Sequence, residues 1–262
     1  MPKRLRLRLL LIAVPCMAVA LVVYARSRYV FPVLMYHSVS PDRKDLLTVS
    51  PKTFERQMAF LKSCGYRVLS LEQAAQAMRQ RRNEGKALAV TFDDGNEDNY
   101  TFAFPVLRKY GFPATIFLIY SKVGTPGFLT WDEIREMAAS GLIAFGSHSI
   151  HHIPLTHLGG QELQDEVAGS KRLLEEKLGK KVDLFAYPVG NFDARTRAAV
   201  RDAGYLAAAA TNPGRGAADD DPFIIKRLRI SENSRNLFTF WFESSGYYNL
   251  VRETRQKKRG EY

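Results

Sequence analysis

Eight short apolar runs, rich in β-branched and aromatic residues, recur between residues 31 and 230 with helical patterns between them, and this alternation limits the possible folds more than any other feature. The runs are FPVLMYHSV (31–39), YRVLSL (66–71), ALAVTF (87–92), ATIFLIY (114–120), LIAFGSH (142–148), DLFAYP (183–188), YLAAAAT (205–211) and FIIKRLRI (223–230). Strands this apolar are buried on both faces, which is the mark of parallel strands covered by helices. Between the runs, Phe54, Met58 and Leu61 recur at i, i+4 and i+7 behind Pro51, a good first-turn residue. Thr130 and Glu133 form a capping box in TWDEIREMAASG, which Gly141 closes. Residues 160–179 make a long charged amphipath, and DARTRAAVRDAG ends on a glycine. The expected fold class is α/β: a distorted (β/α) barrel of seven or eight parallel strands, with an open doubly wound sheet as the alternative. The expected organisation is an N-terminal segment (1–28), a barrel domain (29–235), and a C-terminal helix with a basic tail (236–262).

The net charge of +11 over 262 residues suggests a nucleic-acid partner until it is located along the chain. Residues 1–28 carry +6 and residues 252–262 carry +3, which leaves +2 for the body. The basicity belongs to the ends, so no nucleic-acid partner is expected. Leu9 to Ala25 is 17 residues without a charge behind four basic residues, at the short limit for crossing a bilayer core of ~30 Å. It reads as a membrane-anchor helix with the barrel outside the cytoplasm, or as a secretory signal cut near Ala18-Val19-Ala20. A buried core helix is the remaining alternative. Either leading reading exports the domain to the periplasm or cell surface, or secretes it. Cys16 lies in that run and Cys64 alone in the body, so no disulfide forms within the barrel domain. LFTFWFESSGYY (237–248) reads as a final helix covering the barrel, with sugar stacking or membrane contact as alternatives.

Polar residues gather where strands end: His37 after VLMY, Asp93 and Asp94 after LAVTF, His148 after IAFGS, and Tyr187-Pro188 after DLFA. In parallel barrels, chemistry collects at that rim. His148 and His152 are four apart, and converge on one ion if the segment turns helically. A catalytic divalent site takes three protein ligands and keeps one open position, so a carboxylate of the Asp pair completes the set. With Asp94 on the ion, Asp93 stays ionised as a general base for a water acidified to a pKa of roughly 7. A turn or helix cap for DDG, a solvated histidine cluster, and His151 in place of His152 remain open.

As a set, TFDDG (91–95), HSIHH (148–152) and FAYPVG (185–190) resemble the motifs of the polysaccharide deacetylase superfamily, the nodulation-protein-like domain of carbohydrate esterase family four. The resemblance covers residues 30–230. It implies Asp93 as base and Asp94, His148 and His152 as ligands of a divalent metal, zinc by default, with cobalt, nickel or manganese compatible. It further implies the Tyr187 backbone N–H as oxyanion donor, with Tyr187 and Pro188 as groove wall. Trp131 is a candidate for the sugar platform, or else packs on the barrel. Two departures matter. Leu184 stands where the family's third motif carries an arginine, so Asp93 needs another partner, Arg227 or Arg229 on the last strand. No histidine follows His157, so the family's late acid histidine is missing. His37 in LMYHSV resembles the early acid histidine of the biofilm poly-N-acetylglucosamine deacetylases, whose strands run in permuted order. The implied activity is removal of N-acetyl groups from N-acetylhexosamine units of an extracytoplasmic polysaccharide. A deacetylase or deformylase of a lipid-linked sugar and a non-catalytic glycan-binding protein are the alternatives.

Overall fold

The structure, a computed structural model, describes residues 14–17, 19–21, 23–24, 29–80, 82, 84–211 and 221–248. They belong to two units, Phe31–Ser245 and a smaller one of Met1–Val30 with Gly246–Tyr262. In the larger unit each apolar run contains a strand, shorter than the run itself. The strands are β1 (Val33–Tyr36), β2 (Ser38–Val39), β3 (Thr48–Val49), β4 (Arg67–Leu69), β5 (Ala87–Phe92), β6 (Ala114–Leu118), β7 (Ile143–Ser147), β8 (Leu184–Ala186), β9 (Ala207–Thr211) and β10 (Ile225–Arg229). The first run breaks at His37, and its remainder, β2, pairs with β3 in a small separate sheet that the sequence pattern does not announce.

All ladder pairings are parallel. Seven strands close a ring in the order β1-β5-β6-β7-β8-β9-β10, with β10 returning to β1. The closing ladder runs from Val33↔Ala89 to Tyr36↔Phe92. The strand β4 is outside the ring. It pairs with Ala87–Ala89, on the same edge of β5 whose far end, Thr91 and Phe92, pairs with β6. The distorted (β/α) barrel expectation therefore holds with seven strands in the ring and an eighth flanking it. Every residue of β5 is buried, as a parallel strand between helices requires.

Helices cover the ring where the periodicity places them. The first, α1 (Pro51–Ser63), has Pro51 in its first turn and Ser50 accepting the Thr53 N–H, and it buries Phe54, Met58 and Leu61. The others are α2 (Leu71–Arg79), α3 (Phe104–Tyr110), α4 (Trp131–Ala139), α5 (Gly160–Gln164), α6 (Ser170–Leu178), α7 (Ala194–Asp202) and α8 (Leu237–Glu243). The Thr130–Glu133 capping box at α4 is formed, and Gly141 follows with φ 72°. The amphipath of 160–179 is helical but not uniformly so: a π turn, Asp165–Gly169, separates α5 from α6. A second π turn, Asn99–Ala103, leads into α3. Such turns carry one extra residue, and they concentrate at functional sites. The helix α8 packs on α1 through Phe240, whose ring centroid is 6.1 Å from that of Phe60, while Phe238 and Trp241 stay exposed.

The described fragments of the 9–25 segment are helical, and no helix among the described residues is long and apolar enough to cross a membrane. The expected anchor helix thus has no counterpart among them. Much of that segment, and the basic tail of residues 252–262, lies outside the described residues.

A close strand contact sits at Gly146 of β7. A Cβ there would lie 2.6 Å from the Phe117 ring and 2.9 Å from the Leu184 carbonyl oxygen. Gly146→Ala is expected to destabilise the fold by roughly 1–3 kcal/mol, read as a melting point lower by several degrees. An unchanged melting point contradicts this packing.

Candidate active site

Asp93 directly follows β5, and its N–H donates to the Tyr36 carbonyl (3.0 Å), extending the ladder to β1 by one rung. The chain then enters left-handed backbone at Asp94 (φ 72°) and Gly95 (φ 74°), and a Cβ at Gly95 would meet Leu118 Cδ2 at 2.7 Å. Aspartate tolerates this region better than most residues. The turn separates the two acids: Asp93 is buried, and Asp94 is partly open at the rim.

Arg227 grips Asp93 with both terminal nitrogens, Nη1 to Oδ1 at 2.6 Å and Nη2 to Oδ2 at 2.7 Å. Its side chain has no exposed surface. Its Nε donates to the Ala210 carbonyl, and its guanidinium carbon lies 5.4 Å from the Phe117 ring centroid. Of the two arginines proposed for this task, Arg229 shares the face of Arg227 by strand alternation but is one pleat nearer the rim, and it is exposed. Burial pushes the Asp93 carboxyl up, but Arg227, His148 and His37 outweigh it and bring it down to about 2.

His148 follows β7, with its N–H on the Leu118 carbonyl (2.8 Å) and its Nδ1 2.8 Å from the Ala186 carbonyl. A carbonyl only accepts, so Nδ1 carries the proton and Nε2 keeps its lone pair for a cation. Burial lowers His148 to about 3 despite Asp93, and burial also lowers His152. Burial and then the Asp93 charge raise Asp94.

The structure brings Asp94, His148 and His152 together. Both imidazole Nε2 atoms are 3.8 Å from Asp94 Oδ1, and the three donor atoms lie within 4.8 Å of one another. Donors around a tetrahedral ion with bonds of about 2.0–2.1 Å lie roughly 3.3–3.5 Å apart, so only small inward shifts are needed. One carboxylate, pushed up by burial and by its neighbour's charge, and two imidazoles kept neutral by burial fit a divalent cation, which would offset each of these costs. The route to this convergence differs from the expected helical turn. The 148–152 segment is a loop, with Ser149 (φ 65°) and His152 (φ 61°) in the left-handed region. Together with Asp94 and Val189 these are the non-glycine residues with positive φ among those described. Each costs on the order of 1–3 kcal/mol, a kind of strain that clusters at functional sites.

His37, between β1 and β2, places Nε2 4.0 Å from Asp93 Oδ2. Its carbonyl accepts from the side-chain amides of Asn96 (3.3 Å) and Asn99 (2.9 Å), and its buried Nδ1 has no partner among the described residues. His151 points its Nδ1 to Glu166, and His157 is exposed in a 3-10 turn. Both stand apart from the cluster.

The oxyanion assignment needs correction. The Tyr187 N–H donates to the Ala209 carbonyl at 3.0 Å, because the β8–β9 register continues one residue past β8, and its hydroxyl donates to the Phe223 carbonyl. Pro188, buried, has no N–H, while Gly190 and Asn191 donate to the Tyr187 and Pro188 carbonyls. Val189, between Pro188 and Gly190, is half-exposed and has φ 52°. Trp131 begins α4 half-buried, its ring centroid 6.0 Å from that of Tyr120, and no contact joins it to the acid–histidine cluster among the described residues. Glu166, Asn96 and Asn99 are the site-supporting residues that sequence reasoning missed. The two asparagines sit within six residues of the Asp pair, whereas nothing distinguishes Glu166 from its polar helix neighbours.

Comparison with known proteins agrees with this geometry. The family model described as polysaccharide deacetylase matches residues 80–208. The Bacillus subtilis protein YxkH, named as a polysaccharide deacetylase, is 37% identical over 215 residues, covering 81% of this chain and 76% of that protein. A Staphylococcus aureus poly-β-1,6-N-acetyl-D-glucosamine N-deacetylase is 26% identical over 200 residues, 71% of this chain and 69% of that one. The structure of IcaB from Ammonifex degensii superimposes with a TM-score of 0.73 at 30% identity, over 82% of this chain and 97% of that one. This chain belongs to the polysaccharide deacetylase family, on the side of its biofilm branch.

The Arg227–Asp93 pair generates a prediction. Arg227→Met leaves the carboxylate buried and unpaired, at an expected cost of roughly 3–5 kcal/mol at pH 7. Native Asp93 titrates at about 2, below its ordinary 3.8, so its stabilising contribution is complete above pH ~4 and drains as the pH falls toward 2. In the variant the carboxyl is pushed up instead, so the deficit shrinks on acidification from pH 7 to 4. Denaturant titrations at the two pH values measure this, and an equal deficit at both contradicts the pairing.

Proposed function

We propose that this chain is a metal-dependent N-deacetylase that releases acetate from N-acetylhexosamine units of an extracytoplasmic polysaccharide. The observation that carries the reading is an ionised Asp93, fixed by Arg227, beside a neutral His148 whose Nε2 it approaches at 3.9 Å, with Asp94 and His152 completing a donor set. Asp94, His148 and His152 would hold the cation, zinc by default for one carboxylate and two imidazoles. When bound, it supplies Lewis acidity toward the amide carbonyl and lowers the pKa of a water in the site to roughly 7.

Asp93 takes the proton of that water. A carboxylate with a pKa of about 2 is a weak base, and it suffices because the water is already acidified. An amine leaves an amide carbon badly without a proton, and His37 Nε2, beside Asp93, donates it. The products are acetate and a free hexosamine amine. A poly-N-acetylglucosamine-type polymer is supported as substrate by the names of the S. aureus relative and of its counterparts in two Escherichia coli strains, of whose length this chain's match spans 20%. An export segment at residues 9–25, anchoring or cleaved, would deliver the barrel to such a polymer outside the cytoplasm.

Asp93→Asn is expected to lower acetate release from N-acetylglucosamine oligomers by at least ~10²-fold while keeping one zinc per chain. His152→Ala, left with two of the three ligands, is expected to bind zinc measurably more weakly and to lose activity. Full turnover by Asp93→Asn, or wild-type turnover that survives complete chelation, would overturn the reading.

A further inference from the structure

His152 sits in a segment with no strand or helix of its own to fix it, yet its Nε2 must stop within reach of Asp94 and His148. His148 is fixed by the end of β7 and by the Ala186 carbonyl. His152 has neither support. Its N–H donates to Ser149 Oγ at 3.0 Å, and Ser149 in turn donates its own N–H to Ser147 Oγ. The two residues between them, Ile150 and His151, turn outward, and both donate their N–H groups to one carboxylate oxygen, Glu166 Oε2, at 2.9 and 3.0 Å. The other oxygen, Oε1, meets His151 Nδ1 at 2.5 Å. Three donors of one loop therefore end on a single buried side chain from a distant helix.

That helix is adapted to the task. Glu166 lies in the π turn Asp165–Gly169, between α5 and α6. Gly169, in the same turn, faces the loop: a Cβ there would lie 3.4 Å from Ile150 Cδ1, an ordinary packing distance. Hydrogen bonds to an ionised acceptor are roughly twice as strong as neutral ones. Burial pushes the Glu166 carboxyl up, but the donors from His151, Ser149 and Ile150 outweigh it and hold the carboxyl below its ordinary range.

We infer that Glu166 is a positioning residue for the cation site and acts through His152: it pins residues 150 and 151 so that the left-handed His152 presents Nε2 to the ion. His151 is then a latch on Glu166, not a ligand. The inference rests on Asp94, His148 and His152 being a metal site, and it makes a narrower claim. Glu166 supports one ligand of the three.

Zinc affinity of the full chain, measured by competition with a chelating dye, tests it in a double-mutant cycle together with the melting point of the metal-free protein. Glu166→Ala is expected to weaken zinc binding by about 10–100-fold, the range typical of outer partners of metal ligands. Glu166→Gln, which keeps an acceptor oxygen but not the charge, is expected to lose about three- to tenfold. In a His152→Ala background Glu166→Ala is expected to add no further loss, because the ligand it serves is gone. A lower metal-free melting point with zinc affinity within about twofold of wild type would reduce Glu166 to ordinary structural support and overturn the inference. An undiminished effect in the His152→Ala background would also overturn it. If Glu166→Ala does not fold, Glu166→Gln in the same cycle decides, with no loss of affinity counting against the inference. Absence of zinc binding by the wild-type chain would instead bring down the metal-site reading, and this inference with it.

Discussion

A guanidinium with no exposed surface holds both oxygens of Asp93 from inside the barrel, and the rest of the site is arranged around that pair. Arg227 is on β10, yet its charge is spent on the end of β5, past β1, which lies between those strands in the ring. The pair therefore helps set how the ring closes as well as the ionisation of the acid. A buried arginine this deep would be destabilising alone, and so would the carboxylate. Each is tolerable because the other is present with bidentate geometry, and because Thr91 and the Ala210 carbonyl take part of the remaining donor capacity. The same pair explains why two adjacent aspartates behave differently: Asp93 is pulled down by its cation neighbours, whereas Asp94, lacking a guanidinium in contact, is raised by burial and by the Asp93 charge.

Among the described residues, the non-glycine positions with positive φ all lie in loops around this pair. Asp94, Ser149, His152 and Val189 all adopt positive φ, and each belongs to a turn that leaves β5, β7 or β8 at the same rim. Gly95 and Gly190 relieve only the neighbouring positions, where a Cβ would strike Leu118 or Thr211. Strain is retained because the surroundings over-determine these conformations: strand ends fix one side of each turn, and at residues 149–152 the Ser147 and Ser149 hydroxyls and the Glu166 carboxylate fix the other. The result is a preorganised set of donors, bought with local stability that the fully buried strands can supply.

Much of the architecture was legible in the chain. The eight apolar runs located the eight strands of the main sheet, and their lack of alternation identified a parallel sheet, because burial on both faces leaves a compositional trace. The site residues were legible because barrel chemistry lies at strand ends, and because DD and HxxxH limit what those ends can do. What stayed hidden depends on register or on non-local partners. The strand β4 looks like its neighbours in composition, and only the sharing of one β5 edge with β6 puts it outside the ring. The Tyr187 amide is consumed by Ala209 because the β8–β9 register continues one residue past β8, which composition does not report. Ser149 and His152 oppose their own conformational preferences, so local reasoning supplied a helical turn in place of the observed loop. The choice between Arg227 and Arg229 depended on depth in the barrel, which alternation alone does not report.

The central claim is that one cation is shared by Asp94, His148 and His152 while Asp93 stays with Arg227. Anomalous diffraction at the zinc absorption edge, from crystals grown with zinc, tests it most directly. The account predicts one peak per chain bonded to Asp94 Oδ1, His148 Nε2 and His152 Nε2, with the Asp93–Arg227 pair intact. A peak bonded to Asp93, a peak on His151, or no peak at the cluster would contradict it.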